Sequence, residues 1–142
     1  LPICLGTDGY THDMIESYKV ANILHKHHLC DATAAWAEVP QMLFYNNAAM
    51  ANRYFKKPLG VLAEGAAADV IVMDYIAPTP MNEENINSHI LFGMSGHDVV
   101  TTIANGKVLM ENRQLTGVDE EALMAKIREG AATLAGRING YL

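Results

Sequence analysis

The sequence predicts an α/β chain in which a buried strand and two helices precede an antiparallel β region and a closing helix. Three observations carry that expectation. Residues 1–9, LPICLGTDG, are a short apolar run broken by Gly6 and ending in one carboxylate, Asp8, followed by Gly9. This is the pattern of a buried strand that delivers one acidic side chain at its tip and then turns away. Residues 99–110 alternate in polarity on both sides of Asn105-Gly106, a pair that accepts the positive φ angles of a tight hairpin. Beyond Asp119, Leu123, Ile127, Ala131, Leu134 and Ile138 recur at helical spacing, the stripe of an amphipathic helix.

At 142 residues, half of them apolar, the chain is long enough for one domain with a sizeable core. No apolar run approaches the roughly 20 residues of a membrane span. The net charge is −6 with both signs interleaved, which leaves no basic stripe for nucleic acid and nothing to draw the chain to an anionic membrane. Small molecules or protein are the expected ligands. Cys4 and Cys30 form no disulfide framework, so free buried thiols in a reducing cytoplasm are expected. The sequence opens without Met, directly inside an apolar run. A lone strand can neither pair its edges nor bury both faces, so its neighbours are expected elsewhere and the chain reads as a piece of a longer protein.

After the Tyr10-Thr11-His12 turn, the spacing predicts a helix over residues 13–28, with Met14, Tyr18, Ala21, Leu24 and His28 buried and Ile15 and Val20 widening the stripe. Residues 31–37 form a connector carrying Trp36. Val39, held extended by the proline after it, and Pro40, suited to a first turn, mark the entry to an alanine-rich second helix. That helix carries Asn46, Asn47 and Asn52 and reaches about Phe55, where Lys56, Lys57 and Pro58 stop it. From Gly60 the pattern is β. A small-residue turn at 64–68 leads into a continuous apolar run between Asp69 and Asp74, read as a buried strand. Residues 81–96 are too irregular to receive an element. Beyond the hairpin, residues 113–115 continue the second strand, and Asp119 caps the final helix with Glu120 and Glu121 in its first turn.

Asp8 is the first candidate functional residue, because the tip of a strand in a β/α barrel faces the reaction centre. By spacing alone, a carboxylate that caps the next helix or shapes the turn is the plainer account. His25-Lys26-His27-His28 invites a metal reading that helix geometry weakens. Residues two apart lie about 200° around a helix, so His25 and His27 cannot share an ion, and His25 with His28 would need further ligands. Histidines at a helix C-terminus, favoured there by the dipole, account for the tract.

Three phrases in order, LGTDG at residues 5–9, GVLAEGAAADVIVMD at 60–74 and TIANGKVL at 102–109, resemble the C-terminal end of amidohydrolase-superfamily enzymes. The likeness is to the cytosine deaminase and chlorohydrolase branch and, within it, to the SsnA-type aminohydrolases. It implies that residues 1–57 are the last strand and following helices of a (β/α)8 TIM barrel, residues 58–115 part of a composite β-sandwich, and residues 116–142 a C-terminal amphipathic helix. It also implies that Asp8 contacts a divalent metal, most often zinc, and takes a proton from the metal-bound water. Asp8 would be general base first, then general acid toward the departing amine. The implied reaction is hydrolysis of a non-peptide C–N bond of amidine or cyclic amide type in a small molecule, releasing ammonia.

The family's other ligands, an H-x-H on the first barrel strand and histidines from the fifth and sixth, have no counterpart in this sequence. The chain alone is therefore expected to hold no catalytic metal and to be inactive. Tyr45-Asn46-Asn47-Ala48-Ala49 stands where many relatives carry a Thr and a Gly, Ala66 where a lysine is common, and Gly9-Tyr10-Thr11-His12 where several deaminases have Ser-Asn after the aspartate. Substrate identity is therefore not carried over. The competing class is a non-catalytic α/β module for assembly or protein binding, which accounts for the hairpin and the last helix but gives no reason for a glycine-flanked Asp8. Uncovered apolar stripes on strand and helices predict self-association, as a homo-oligomer or domain-exchanged dimer.

Overall fold

The structure is a computed structural model that describes residues 2–141. Leu1, the first residue of the expected N-terminal strand, and Leu142, the last of the expected C-terminal segment, lie outside the described residues.

Helix α1, Met14–Leu29, starts where Asp13 accepts a hydrogen bond from the Ile15 N–H at 2.8 Å and ends where Cys30 turns left-handed at φ 50°. Its buried face is Ser17, Tyr18 and Asn22, whereas Leu24 and His28, expected inside, are exposed. The stripe is rotated because α1 packs on other helical elements and on the connector, and nothing among the described residues covers the Leu24 side. Asn22, 3% exposed, fixes the rotation: its Nδ2 donates to the Ala35 carbonyl at 3.1 Å, holding a connector in which Ala35 itself sits at φ 66°.

The connector is shaped by short-range bonds. Thr33 donates from Oγ1 and from its backbone N–H to the Asp31 carboxylate, at 2.6 and 2.8 Å, which holds that carboxyl below the usual carboxylate range. Trp36 donates to the Ala32 carbonyl, lies 5.9 Å from the Phe92 ring and carries the Lys26 ammonium 4.3 Å above its face.

The second helical stretch is three pieces: α2, Glu38–Pro40, a π-turn over Gln41–Asn46, and α3, Asn47–Ala51. Val39 is helical, not extended as expected. The preference of a pre-proline residue for extended backbone is small beside the full burial of Val39, at 0% exposure the centre of the core. The helix also ends at Ala51 rather than near Phe55, because Asn52 turns its side chain onto Leu59, accepting from its N–H at 2.8 Å and donating to its carbonyl at 3.2 Å.

Tyr18, Ala35, Val39 and Leu91 form the core, with Leu5, Ala21, Leu43 and Ile90 packed against them. Burial pushes the Tyr18 phenol above its ordinary pKa. Leu91 comes from α4, Ile86–Phe92, a helix in the stretch that the sequence left unassigned. Its spacing is short, and its polar flanks hide it.

A four-stranded antiparallel sheet follows in the order β1-β2-β3-β4: β1 Val70–Met73, β2 Val99–Ala104, β3 Lys107–Glu111 and β4 Gln114–Leu115. Between β2 and β3, Asn105 and Gly106 both take positive φ, 47° and 79°, the type I′ geometry that their chemistry favours. A second tight turn at Asn112 and Arg113, φ 49° and 62°, starts β4, so residues 114–115 reverse rather than extend the preceding strand. No glycine announces it. β1 pairs with β2 through Val70↔Ile103 and Ile71↔Thr102. It is a strand as expected but not a buried one, with Ile71 and Val72 at 53% and 47% exposure, because no layer covers them among the described residues.

Helix α5, Glu120–Asn139, is capped by Asp119, which accepts from the Ala122 N–H at 3.0 Å. Its expected buried stripe is instead exposed along its length, since no other element among the described residues packs closely on it. Both cysteines are free, Cys4 half-buried and Cys30 exposed, so only part of the buried-thiol expectation holds. Cys30 occupies the left-handed position that ends α1, which lies at the surface. No helix among the described residues is long and apolar enough to cross a membrane.

Replacing Asn22 by Ala is expected to lower the unfolding free energy by about 1–3 kcal/mol, because the buried Ala35 carbonyl loses its donor. Urea unfolding checks this, with the midpoint falling at unchanged m value.

Candidate functional site

Residues 2–7 take no regular secondary structure and pair with no strand among the described residues, so the N-terminal strand expected from the sequence is absent as a ladder element. A strand needs a neighbour's backbone, and side chains take that place here. The Leu5 N–H donates to Asn47 Oδ1 at 3.0 Å, Asn47 Nδ2 donates to the Leu5 carbonyl at 2.8 Å, and Asn46 Nδ2 donates to the Ile3 carbonyl at 2.7 Å. Gln41 Nε2 in turn donates to Asn46 Oδ1 at 3.0 Å.

Asp8 stands at the end of this segment, on the turn closed by the Tyr10 N–H and the Thr7 carbonyl at 3.3 Å. Its φ is 50°, a conformation that Asp tolerates better than most residues. Oδ1 accepts from the Gly9 N–H at 2.8 Å, while Oδ2 makes no hydrogen bond among the described residues and the side chain is exposed. Of the two plainer roles weighed for Asp8, turn shaping is visible in the Gly9 bond. Capping belongs to Asp13.

Asp13 does more than cap α1. Its Oδ2 also accepts from the Gly96 N–H at 2.9 Å, tying the start of α1 to the 3-10 turn at Gly96–Asp98 before β2. A Cβ on Gly96 would lie 2.6 Å from that oxygen, so glycine is what lets the Asp13 carboxylate reach this backbone. A cavity of about 600 Å³ lies at this junction, lined by Thr11, His12, Asp13, Ile71, His97 and Thr102. Asp8 is not on its wall. A second cavity, of about 270 Å³, surrounds His89, which is 7% exposed and held by the Tyr75 hydroxyl at 2.9 Å and Thr79 Oγ1 at 3.3 Å. His89 lies on α4 and was not singled out in the sequence; both of its ring nitrogens are partnered, as a buried imidazole requires.

Among the described residues, no three His, Cys, Asp or Glu side chains come together. His25, His27 and His28 are exposed along the end of α1. Zinc takes four ligands, and Asp8 could supply one of them. The donors among the described residues do not by themselves make a metal centre.

A sequence profile of the Amidohydrolase family matches residues 1–109, and the chain belongs to that family. The match takes in Asp8, both asparagines of the bracket and all three phrases singled out in the sequence.

Among its relatives is the 5-methylthioadenosine/S-adenosylhomocysteine deaminase of Thermococcus sibiricus, 44% identical over 112 residues, which are 76% of this chain and 26% of that protein. Another is the 5'-deoxyadenosine deaminase of Methanosarcina mazei, 33% identical over 142 residues, 96% of this chain and 32% of that protein. The chain thus spans about a quarter to a third of the length of these curated relatives. Its fold is shared with a crystal structure of an adenosine deaminase from Xanthomonas campestris with bound zinc, at a TM-score of 0.70 and 24% identity, over 87% of this chain and 28% of that one.

Asp13→Ala removes both the helix cap and the bond to Gly96, and is expected to destabilise the fold by about 1–2 kcal/mol. A fall in the urea midpoint, with faster amide exchange at Ile15 and Gly96, is the measurement.

Proposed function

We propose that this chain is the C-terminal part of a metal-dependent aminohydrolase that removes the amino group of a 5'-modified adenosine, with Asp8 as the proton-transferring carboxylate. The observation that carries the reading is the similarity of most of the chain to proteins named deaminases of 5-methylthioadenosine, S-adenosylhomocysteine and 5'-deoxyadenosine. Deamination of an adenine ring forms one C–O bond from water and breaks one C–N bond. A proton must leave the attacking water and another must reach the departing nitrogen, which goes out as ammonia. A single carboxylate serves both needs, as base and then as acid.

The geometry of Asp8 suits that task. Oδ1 is anchored on Gly9, Oδ2 points away without an internal partner, and the short side chain on a left-handed turn leaves little rotamer freedom to lose. When bound, a divalent cation would lower the pKa of the attacking water toward neutrality. In this reading the imidazoles that complete its coordination belong to a longer polypeptide, because no three potential ligand side chains come together among the described residues. The barrel place proposed for residues 1–57, with the N-terminal segment as its last strand, follows from the same reading. Free Cys4 and Cys30 suit a reducing cytoplasm.

In the full polypeptide loaded with zinc, ammonia release from 5'-deoxyadenosine or 5-methylthioadenosine tests the assignment. Asp8→Asn is expected to lower kcat by about 10²–10⁴-fold with little change in KM. Retained turnover in that variant removes Asp8 from the role, and turnover only on other amidines removes the substrate class. The 142-residue chain alone is expected to release no ammonia.

Self-association is proposed on the exposed apolar residues of α1 and α5, among them Ile23, Leu24, Leu123, Ile127 and Leu134. Light scattering of the isolated chain is expected to show dimers or larger species; a monodisperse monomer at high concentration contradicts it.

A further inference from the structure

We propose that Asn47 is a positioning residue for Asp8: its carboxamide stands in for a neighbouring strand and sets the register of the segment that ends in that carboxylate. The inference rests on the role proposed for Asp8 in catalysis.

In an antiparallel pair, facing residues exchange both N–H···O bonds. Asn47 reproduces this exchange with one side chain, accepting from the Leu5 N–H at 3.0 Å and donating to the Leu5 carbonyl at 2.8 Å. One backbone donor and one backbone acceptor on the same residue leave the carboxamide only one orientation. Aspartate could accept but not donate, and alanine could do neither. Asn46, oriented by Gln41, adds a bond to the Ile3 carbonyl two residues earlier on the same segment.

Two consecutive residues reach one segment because the helix widens there. The Asn47 N–H donates to the Met42 carbonyl, closing an i→i+5 turn. In a regular helix their side chains would diverge by about 100°.

The register of Leu5 sets where Asp8 stands. Leu5 packs against the core cluster, so a one-residue slip would take its side chain from the core and move the turn that carries Asp8 by about 3.3 Å. Misplacement of a reacting group by about 1 Å already costs on the order of 10²-fold in rate. Gly6 and Thr7, between Leu5 and Asp8, make no hydrogen bond to another element among the described residues. The hold on Asp8 from this side comes through Leu5.

The test uses the full polypeptide with Asn47→Ala and the near-isosteric Asn47→Asp. In Asn47→Ala, amide exchange at Leu5 is expected to rise at least about tenfold, with exchange in α1 and α4 unchanged and the Gly9 amide resonance shifted as its Asp8 acceptor moves. Asn47→Asp keeps an acceptor for the Leu5 N–H, so exchange there stays slow while the Gly9 resonance still shifts. Both variants are expected to lose about 10–100-fold in kcat at nearly constant KM.

Unchanged Leu5 exchange and an unmoved Gly9 resonance in Asn47→Ala overturn the proposal, as does a shifted Gly9 with kcat intact while Asp8→Asn abolishes turnover. Should Asn47→Ala unfold, Asn47→Asp decides by the Gly9 resonance. Should Asp8→Asn leave kcat unchanged, the function assigned to Asp8 fails, and the two amide readouts still decide whether Asn47 sets its position.

Discussion

Backbone groups that leave a helix or sheet must still find partners, and in this chain asparagine carboxamides supply them. Asn22 holds the Ala35 carbonyl, Asn46 the Ile3 carbonyl, Asn47 both polar groups of Leu5 and Asn52 both polar groups of Leu59. Each bond joins a residue in a helix, or just past its end, to an irregular stretch. Asparagine is suited to this because one short side chain presents a donor and an acceptor at peptide-like spacing. Without these contacts the N-terminal segment and the connector would have few fixed points, and the core around Tyr18 and Val39 could not close on Leu5 and Ala35.

The distribution of burial follows from that arrangement. The close-packed part is where α1, the connector, α2 and α4 meet, and it is small. The four strands pair with their neighbours through the ladder, but several of their apolar side chains stay open, and α5 carries a complete amphipathic pattern with no other element among the described residues packed closely on it. Local hydrogen bonding can form these elements. Only an opposing apolar surface can bury them.

Much of the secondary structure was legible because its signals are local. The start of α1 follows from Asp13, and the start of α5 from Asp119 with two glutamates behind it. The β2–β3 hairpin follows from Asn105-Gly106. Other features gave no such signal. The Asn112-Arg113 turn lacks a glycine, α4 is a short helix in a polar stretch, and nothing local in the sequence marks the π-turn over Gln41–Asn46. The rotated face of α1 was illegible for a related reason: Tyr18 and the polar Asn22 are buried there, while the apolar Leu24 is left outside. Asp8 was picked out because a carboxylate between glycines at the end of an apolar run is conspicuous; the residues that hold its segment are about forty positions away.

The sequence by itself determined α1 and α5 with their caps, the strands β1 to β3, the hairpin turn and the family, because each depends on residues a few positions apart or on short phrases read in order. Tertiary structure alone decided that residues 2–7 are held by carboxamides in place of a strand, that Asp13 ties α1 to Gly96, and which face of α1 is inside. Those contacts join residues 13 to 83 positions apart, and no local spacing encodes which distant backbone group a side chain will meet.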